Sequence, residues 1–407
     1  MRILFITPYV PSLIRVRPFN FIKQLSRRHE IMLVSIVQGE KDAAAVDQVR
    51  EYCEKVYAFR LSKARSLASC CRRLLSRTPL QAAYTDLPSA RTFVSRMAER
   101  GIFDLLHVEH IRGAHLVGGV KCIPRIFDSV DCITRLLKLR LAQQRGTFQR
   151  ALGYEELLKM RSYEPTVAAA FDSVVITSRH EKRALEWLMQ RSQNAESSRV
   201  AVVGNGVDSD YFRPMENETP SGTIVFSGKM SYFPNVTGVL HFYSEVFPRI
   251  RRRRPDARLK IVGSDPPDAI RRLARDPAVE VTGYSPDIRP HIASAEVVVC
   301  PLTIGVGIQN KVLEAMAMGK PVVATSVACK GIPDAFDGRD LIYADEPSEM
   351  AESVLRIMDN PQLGQRLGEN ARRLVGERYS WDAVARELEA VHAYTVDAYR
   401  GQILTAA

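Results

Sequence analysis

The sequence predicts an α/β protein built from two doubly wound parallel-sheet domains, and three observations carry that reading. Short apolar runs recur at 3–7, 31–37, 56–59, 104–108, 125–128, 173–177 and 200–203, and then at 223–227, 258–262, 279–282, 297–300, 321–325 and 341–343. Amphipathic stretches separate most of them, and strands alternating with helices build βαβ units and hence parallel sheets. A run rich in turn formers, 204–222, divides the two series, and 407 residues exceed what one core usually fills. The expected organisation is an N-terminal domain over 1–205, a C-terminal domain over 206–379, and a last helix over 380–407, capped by Ser380 and starting at Trp381.

Composition narrows the class. A hydrophobic fraction of 46% and a charged fraction of 25% are those of a soluble globular protein, and no apolar run approaches the length that crosses a bilayer. The opening Met1-Arg2-Ile3-Leu4-Phe5 has the charge and apolar character of a signal segment, but the run is short and lacks a small-residue cleavage site, so it reads as the first strand. Seven cysteines, with Cys70 and Cys71 adjacent and no CxxC pair, form neither a zinc pattern nor a disulfide framework, and a reducing cytoplasm is the expected setting. A net charge of +11 calls for an acidic partner: a nucleoside diphosphate, an anionic membrane face or nucleic acid. Nucleic acid is excluded, because no recognition motif is present and aromatics do not interleave with the basic clusters. The run Arg249-Ile250-Arg251-Arg252-Arg253-Arg254 ends a helix, where cations suit the dipole, with a membrane or polyanion patch as the alternative. Lys63, Arg65, Arg72, Arg73 and Arg77, set among Leu67, Leu74 and Leu75, form an amphipathic pattern that suits either a membrane surface or a solvated helix face.

The densest chemistry lies between the strands 297–300 and 321–325. There a glycine-bearing loop leads through Gly305, Gly307, Ile308, Gln309 and Asn310 into a short helix. In an open parallel sheet, ligands bind outside the carboxyl ends of the strands. The helix N-terminus offers free amides and a positive dipole end, which is a seat for phosphate. Lys311 falls in the first turn and Glu314 one turn later, so a cation and a carboxylate share a face. A pyrophosphate beside the first and a ribose diol beside the second match that pair; a plain surface ion pair is the bland alternative.

This stretch, with Asn205-Gly206-Val207-Asp208 and Gly228-Lys229 upstream, resembles the donor-binding half of the GT-B glycosyltransferases of family 4. The motif Gly307-Ile308-Gln309-Asn310-Lys311 and the opening Pro8-Tyr9-Val10-Pro11-Ser12 with Arg15, Arg17 and Pro18 resemble the subset associated with exosortase and exopolysaccharide systems. Two departures stand out. Where the family carries a second glutamate, with seven residues between it and the one at Glu314, this chain has Val306; where it carries a lysine five or six residues beyond Lys229, this chain has Pro234 and Asn235.

The resemblance implies a donor site of Gly228, Lys229, Gly307, Ile308, Gln309, Asn310, Lys311 and Glu314, with Lys229 and Lys311 facing the diphosphate. In the N-terminal half it implies a histidine at the end of the fourth strand that contacts the donor sugar or its phosphate. His110 is the choice ahead of His107 and His115, its bland alternative being a structural histidine. Arg15 and Arg17, in a first loop without the family's paired glycines, are acceptor-side candidates able to clasp phosphate or carboxylate, or else solvent-facing arginines. Pro18 is placed at the first position of the following helix. Asp131 faces the acceptor or caps a helix.

The chemistry expected is transfer of a sugar from a nucleotide-diphosphate donor to a glycan or lipid-linked acceptor, with retention of configuration and no cofactor or metal. Asp208-Ser209-Asp210 spells a metal-binding DxD but sits in the linker, where short acidic turns are common. Domain closure would bring His110 to the donor and exclude water. The expected location is the cytoplasm, with peripheral contact at the anionic inner membrane face. A sugar-nucleotide epimerase, a phosphorylase, and a non-catalytic assembly or membrane-docking protein are the alternatives; the last is motivated by Val306 and Asn235.

Overall fold

The computed structural model describes residues 1–143, 146–192, 198–216, 220–304 and 308–406. It divides by contacts into one unit of 1–203 with 385–407 and a second of 204–384. Each has its own hydrophobic core.

The first unit holds seven strands, β1 (Arg2–Thr7), β2 (Glu30–Val37), β3 (Lys55–Arg60), β4 (Leu105–Glu109), β5 (Arg125–Val130), β6 (Ser173–Ile176) and β7 (Arg199–Val202). They lie in the order β3-β2-β1-β4-β5-β6-β7, every pair parallel. The second unit holds β8 (Thr223–Ser227), β9 (Arg258–Val262), β10 (Val279–Gly283), β11 (Val297–Cys300), β12 (Val322–Ala324) and β13 (Ile342–Tyr343) in the order β10-β9-β8-β11-β12-β13, again all parallel. These are the thirteen strands the apolar runs predict. Helices cover both faces of such sheets, so central strands read as continuous apolar runs: Ile3 to Ile6 are fully buried, and so is the whole of β11.

Strand order reverses between β1 and β4 in one unit and between β8 and β11 in the other. At such a switch point the connections leave the sheet on opposite sides and open a crevice at the strand ends. The loops after β1 and β4 therefore meet at one crevice, and those after β8 and β11 at another.

The helices that carry candidate residues in one unit or the other are α1 (Val16–Leu25), α2 (Lys63–Arg73), α3 (Leu80–Tyr84), α4 (Ile111–Ala114), α5 (Ile133–Gln143), α6 (Thr147–Ala169), α7 (Phe233–His241), α8 (Asn310–Ala317) and α9 (Trp381–Ala406). Helix α1 begins at Val16 with Arg15 at its cap. Pro18 is thus its third residue and not its first, which the helix tolerates because its first-turn amides have no intrahelical acceptor to lose. Ser380 caps α9 by accepting the Ala383 N–H at 3.2 Å. The body of α9 is anchored in the first unit: His392 meets His107 of β4 at 3.1 Å, Thr395 meets Ser173 of β6 at 2.8 Å, and Glu389 takes Arg28 at 2.7 Å.

Candidate active site

In the second unit the site is assembled around Gly228, directly after β8. Its φ of +149° favours glycine, and there is no room for a side chain. A Cβ there would stand 2.8 Å from Asn235 Nδ2 and 2.9 Å from Lys311 Cε. Asn235, in the first turn of α7, is 2% exposed. Its Nδ2 donates to the Lys229 carbonyl at 2.8 Å, and its Oδ1 accepts from Lys311 Nζ at 2.8 Å. Lys311 Nζ also donates to Gln309 Oε1 at 3.2 Å and lies 5.6 Å from the centre of the Phe226 ring.

The position that lacks the family lysine therefore grips another lysine. Both side-chain acceptors of Lys311 are neutral amides. Among the described residues no carboxylate comes within ion-pair distance of Lys311 or of the exposed Lys229. Two ammonium charges consequently stand at the switch point of β8 and β11 without a carboxylate partner, the arrangement an anion completes.

Glu314 follows one turn along α8. Burial lifts its carboxyl to about 7, with Lys311 pulling in the opposite direction. Ile308 and Gln309 are buried at the entry to α8, and Asn310 is its first residue. Asn310 Oδ1, at the start of α8, and Ser227 Oγ, at the end of β8, are buried polar atoms without a partner; such atoms ask for a ligand or water. Gly307 and Val306 lie outside the described residues. Sequence reasoning missed Asn235 and Ser227 as contributors, because nothing in the sequence shows that α7 turns Asn235 beneath Lys311.

In the first unit, His110 follows β4 with φ +64° and ψ 147°, a conformation that is strained for a non-glycine residue. Val130, at the end of neighbouring β5, has φ +66°. The His110 N–H donates to the Asp128 carbonyl at 2.7 Å, and its Nδ1 accepts the Arg112 N–H at 3.2 Å. That bond leaves the ring proton on Nε2. Burial and the Arg112 charge lower its pKa to about 3, so the ring is neutral at physiological pH. His107 is fully buried against Phe5 and His392, and His115 bonds to the Thr85 carbonyl at 3.1 Å; both serve the interior.

The two arginines separate. Arg17 is 4% exposed; its Nε and Nη2 clasp Asp128 at 2.9 and 3.2 Å, and Nη2 also reaches the Val203 carbonyl at 3.1 Å. It ties α1 to β5 and does not face an acceptor, because an unpaired buried carboxylate at Asp128 would be far more costly than a paired one. Arg15 is partly exposed, pairs with Asp42 at 3.1 Å and covers the Tyr9 ring at 4.5 Å. Beneath it Tyr9 donates to Glu109 Oε1 at 3.2 Å, while Glu109 Oε2 is buried without a partner. Burial and the Asp128 charge raise Glu109 to about 8, so it is a neutral acid at pH 7.

Asp131 accepts from Thr177 Oγ1 at 3.2 Å, and burial with the Glu181 charge lifts it to about 6. It does not cap α5. Buried Glu164 does so, taking the Ile133 and Thr134 amides at 2.6 and 2.8 Å. The linker DxD is likewise accounted for locally: Asp208 accepts the amides of Asp210 and Tyr211 at 3.2 and 3.0 Å, a turn of the kind aspartate favours. Of the basic run 249–254, Arg251, Arg253 and Arg254 are paired with Asp276, Glu352 and Asp359. No helix among the described residues is long and apolar enough to cross a membrane.

Residues 221–360 match the family described as glycosyl transferases group 1, about a third of the chain and the segment that carries Gly228, Lys229, Asn235, Lys311 and Glu314. An MMP alpha-(1->4)-mannosyltransferase of Mycolicibacterium hassiacum is 27% identical over 330 residues, 75% of this chain and 75% of the relative. A D-inositol 3-phosphate glycosyltransferase of Streptomyces avermitilis is 26% identical over 59% of this chain, which spans only 55% of that relative. Among solved structures, Anabaena HepE in complex with UDP aligns over 97% of this chain and 100% of its own with a TM-score of 0.66 at 15% identity. Sucrose-phosphate synthase from Thermosynechococcus elongatus aligns over all of both chains with a TM-score of 0.66 at 14% identity. Two parallel, doubly wound sheets with these neighbours are the GT-B fold.

Proposed function

We propose that this chain, a glycosyltransferase by its group 1 segment and its relatives, moves a sugar from a nucleoside-diphosphate donor onto a glycan or lipid-linked acceptor of a cell-surface polysaccharide, with retention of anomeric configuration. The observation that carries this is the pair of lysines at the switch point of the second sheet, one held by Asn235, both without a carboxylate partner. The relatives' names fit a sugar donor, and HepE binds UDP.

In such a transfer the diphosphate gains negative charge as the anomeric carbon becomes oxocarbenium-like, so cations aimed at it lower the barrier. Lys311 and Lys229 supply them, and no metal or cofactor is invoked. Asn235 keeps the Lys311 ammonium in place without neutralising it. Glu314, one turn along, suits the two hydroxyls of the donor ribose. Gly228 lets the backbone approach the diphosphate closely. In the first unit His110, with its Nε2 proton outward, is the candidate to hold the donor sugar, and Arg15 and Asp131 remain acceptor-side candidates. An exopolysaccharide role, cytoplasmic placement and peripheral contact with the inner membrane face follow from the resemblance and are part of the proposal.

The test is a thermal-shift and calorimetric panel of UDP-, GDP- and ADP-sugars. A ligand that binds the folded state raises the melting temperature by mass action. One conjugate should stand apart from the rest. Lys311→Ala should weaken its binding by about tenfold or more, the scale of a charge-assisted hydrogen bond. A flat panel at millimolar ligand, from folded protein, would sink the proposal.

A further inference from the structure

Two adjoining cavities in the first unit take no part in the chemistry above. One, of about 340 Å³, is lined by Arg73 of α2, Asp86, Arg91, His115 and Tyr163 of α6. The other, of about 660 Å³, shares His115, Gly118 and Tyr163 with it, and each has the size of a small-molecule site. Lys121 and Phe171 stand just before β5 and β6, and Arg125 is the first residue of β5. The larger cavity therefore lies at the amino ends of the strands, the edge of the sheet opposite the crevice after β1 and β4.

The smaller cavity holds two unmet polar groups of opposite kind. His115 donates from Nε2 to the Thr85 carbonyl at 3.1 Å, since a carbonyl only accepts. Its Nδ1 is thereby a lone-pair acceptor, and it is buried without a partner. Burial holds this ring well below its ordinary range, at about 4, so the acceptor persists at physiological pH. Arg91 Nε is a buried donor without a partner, although the same guanidinium and that of Arg73 share Asp86. A hydroxyl group satisfies both atoms, because it donates and accepts. A bare anion only accepts, and an apolar ligand does neither.

The larger cavity is cationic. Lys121 and Arg125 line it and, among the described residues, no carboxylate does. Arg125 Nε is buried without a hydrogen bond, with Asp172 at 3.5 Å. Val117, Val167 and Phe171 add an apolar wall, a surface suited to the C–H face of a sugar ring.

We propose that the two cavities form a second ligand site, for a sugar that carries an anionic group, with hydroxyls at His115 and Arg91 and a phosphate or carboxylate at Lys121 and Arg125. The unmet donor and acceptor select a hydroxylated ligand over a plain anion, and the cations select a charged sugar over a neutral one. The site belongs to the first unit, the diphosphate lysines to the second, and it stands whether or not the transfer reading does.

The experiment is calorimetric titration of the full chain with glucose 6-phosphate, glucuronate, glucose and inorganic phosphate, alongside the nucleotide panel. At least one of the two charged sugars should bind about tenfold or more tightly than glucose and than phosphate, and the tighter of the two identifies the anionic group. Lys121→Ala, at an exposed position, should weaken that binding about tenfold, the scale of a lost charge-assisted contact. Gly118→Leu should weaken it by at least as much by filling the junction of the cavities. Its φ of −54° suits any residue, and a Cβ there would meet only the His115 carbonyl, at 3.3 Å. Nucleotide binding should be unchanged in both variants. Failure of both charged sugars to bind at millimolar concentration would overturn the proposal, and so would glucose or phosphate binding as tightly as they do, or undiminished binding by both variants. A flat nucleotide panel with charged-sugar binding lost in the variants would uphold this site and remove the transfer reading.

Discussion

Two carboxyl groups with raised pKa values give the clearest single-residue expectations. Glu314 titrates near 7, and a ribose diol is held best by the ionised form, which offers acceptors to both hydroxyls. Donor affinity should therefore rise as pH passes from 6 to 8, and Glu314→Gln should flatten that rise; parallel profiles for the two proteins in calorimetry would remove Glu314 from the ribose. Glu109 is lifted to about 8 by burial beside Asp128. A carboxyl whose folded pKa lies above its unfolded value binds more protons when folded. Its penalty is absent below about 4.5, grows as pH rises, and is complete above 8. Glu109→Gln keeps the shape and removes the penalty. Its unfolding free energy should exceed that of the unmodified protein at pH 9 by on the order of a few kcal/mol, with the difference closing near pH 5, as chemical denaturation at the two pH values would read. Identical pH slopes would show that Glu109 is ionised in the fold.

Among the elements, the β8–α7 turn and the start of α8 act as one device. Gly228 leaves the space in which Asn235 meets Lys311, and both would collide with a Cβ at that position. Gly228→Ala should cost about 1–3 kcal/mol through backbone strain and should weaken donor binding, because the side chains that must give way are the ones that hold the ammonium. A variant that melts lower but binds the donor normally would show that the turn serves stability alone. In the first unit, α5 is capped by Glu164 from α6 and anchored by Glu181 from the helix Arg179–Gln190. Its leucine face is thereby presented on a fixed helix to a cleft between α3, α4, α5 and α6, and rigid elements make more precise sites than loops do.

For the molecule as a whole, the two hydrophobic cores are distinct, so heating should show two calorimetric transitions instead of one. A bound nucleotide sugar at about 100 times its Kd should raise the transition of the 204–384 unit by about 2.7 kcal/mol and leave the other nearly unchanged. A single transition that moves as a block would mean that the two units unfold as one. The two parallel sheets were legible in the sequence, as were all thirteen strands, because a buried parallel strand needs an unbroken apolar run and a turn-rich segment separated the two series. Of the candidate site, Lys311 and Glu314 stood out from their place at a helix start and Gly228 and Lys229 from the resemblance, whereas Arg17 looked like a ligand clasp and is a buried partner of Asp128. Sequence shows an arginine near a strand end; it does not show which carboxylate the neighbouring strand presents.

The sequence by itself determined the strands, their grouping into two parallel sheets and the cation-bearing helix start after β11, since each depends on local pattern: apolar runs, turn formers and a glycine before a helix. The tertiary structure alone decided three further matters. It set Asn235 beneath Lys311 from 76 positions away in the chain, turned Arg17 inward to Asp128 across 111 positions, and opened a leucine-lined cleft between four helices. Each is a contact between segments remote in sequence. Which side chains meet there depends on sheet order and helix packing, and these long-range relations leave no mark on the neighbouring residues.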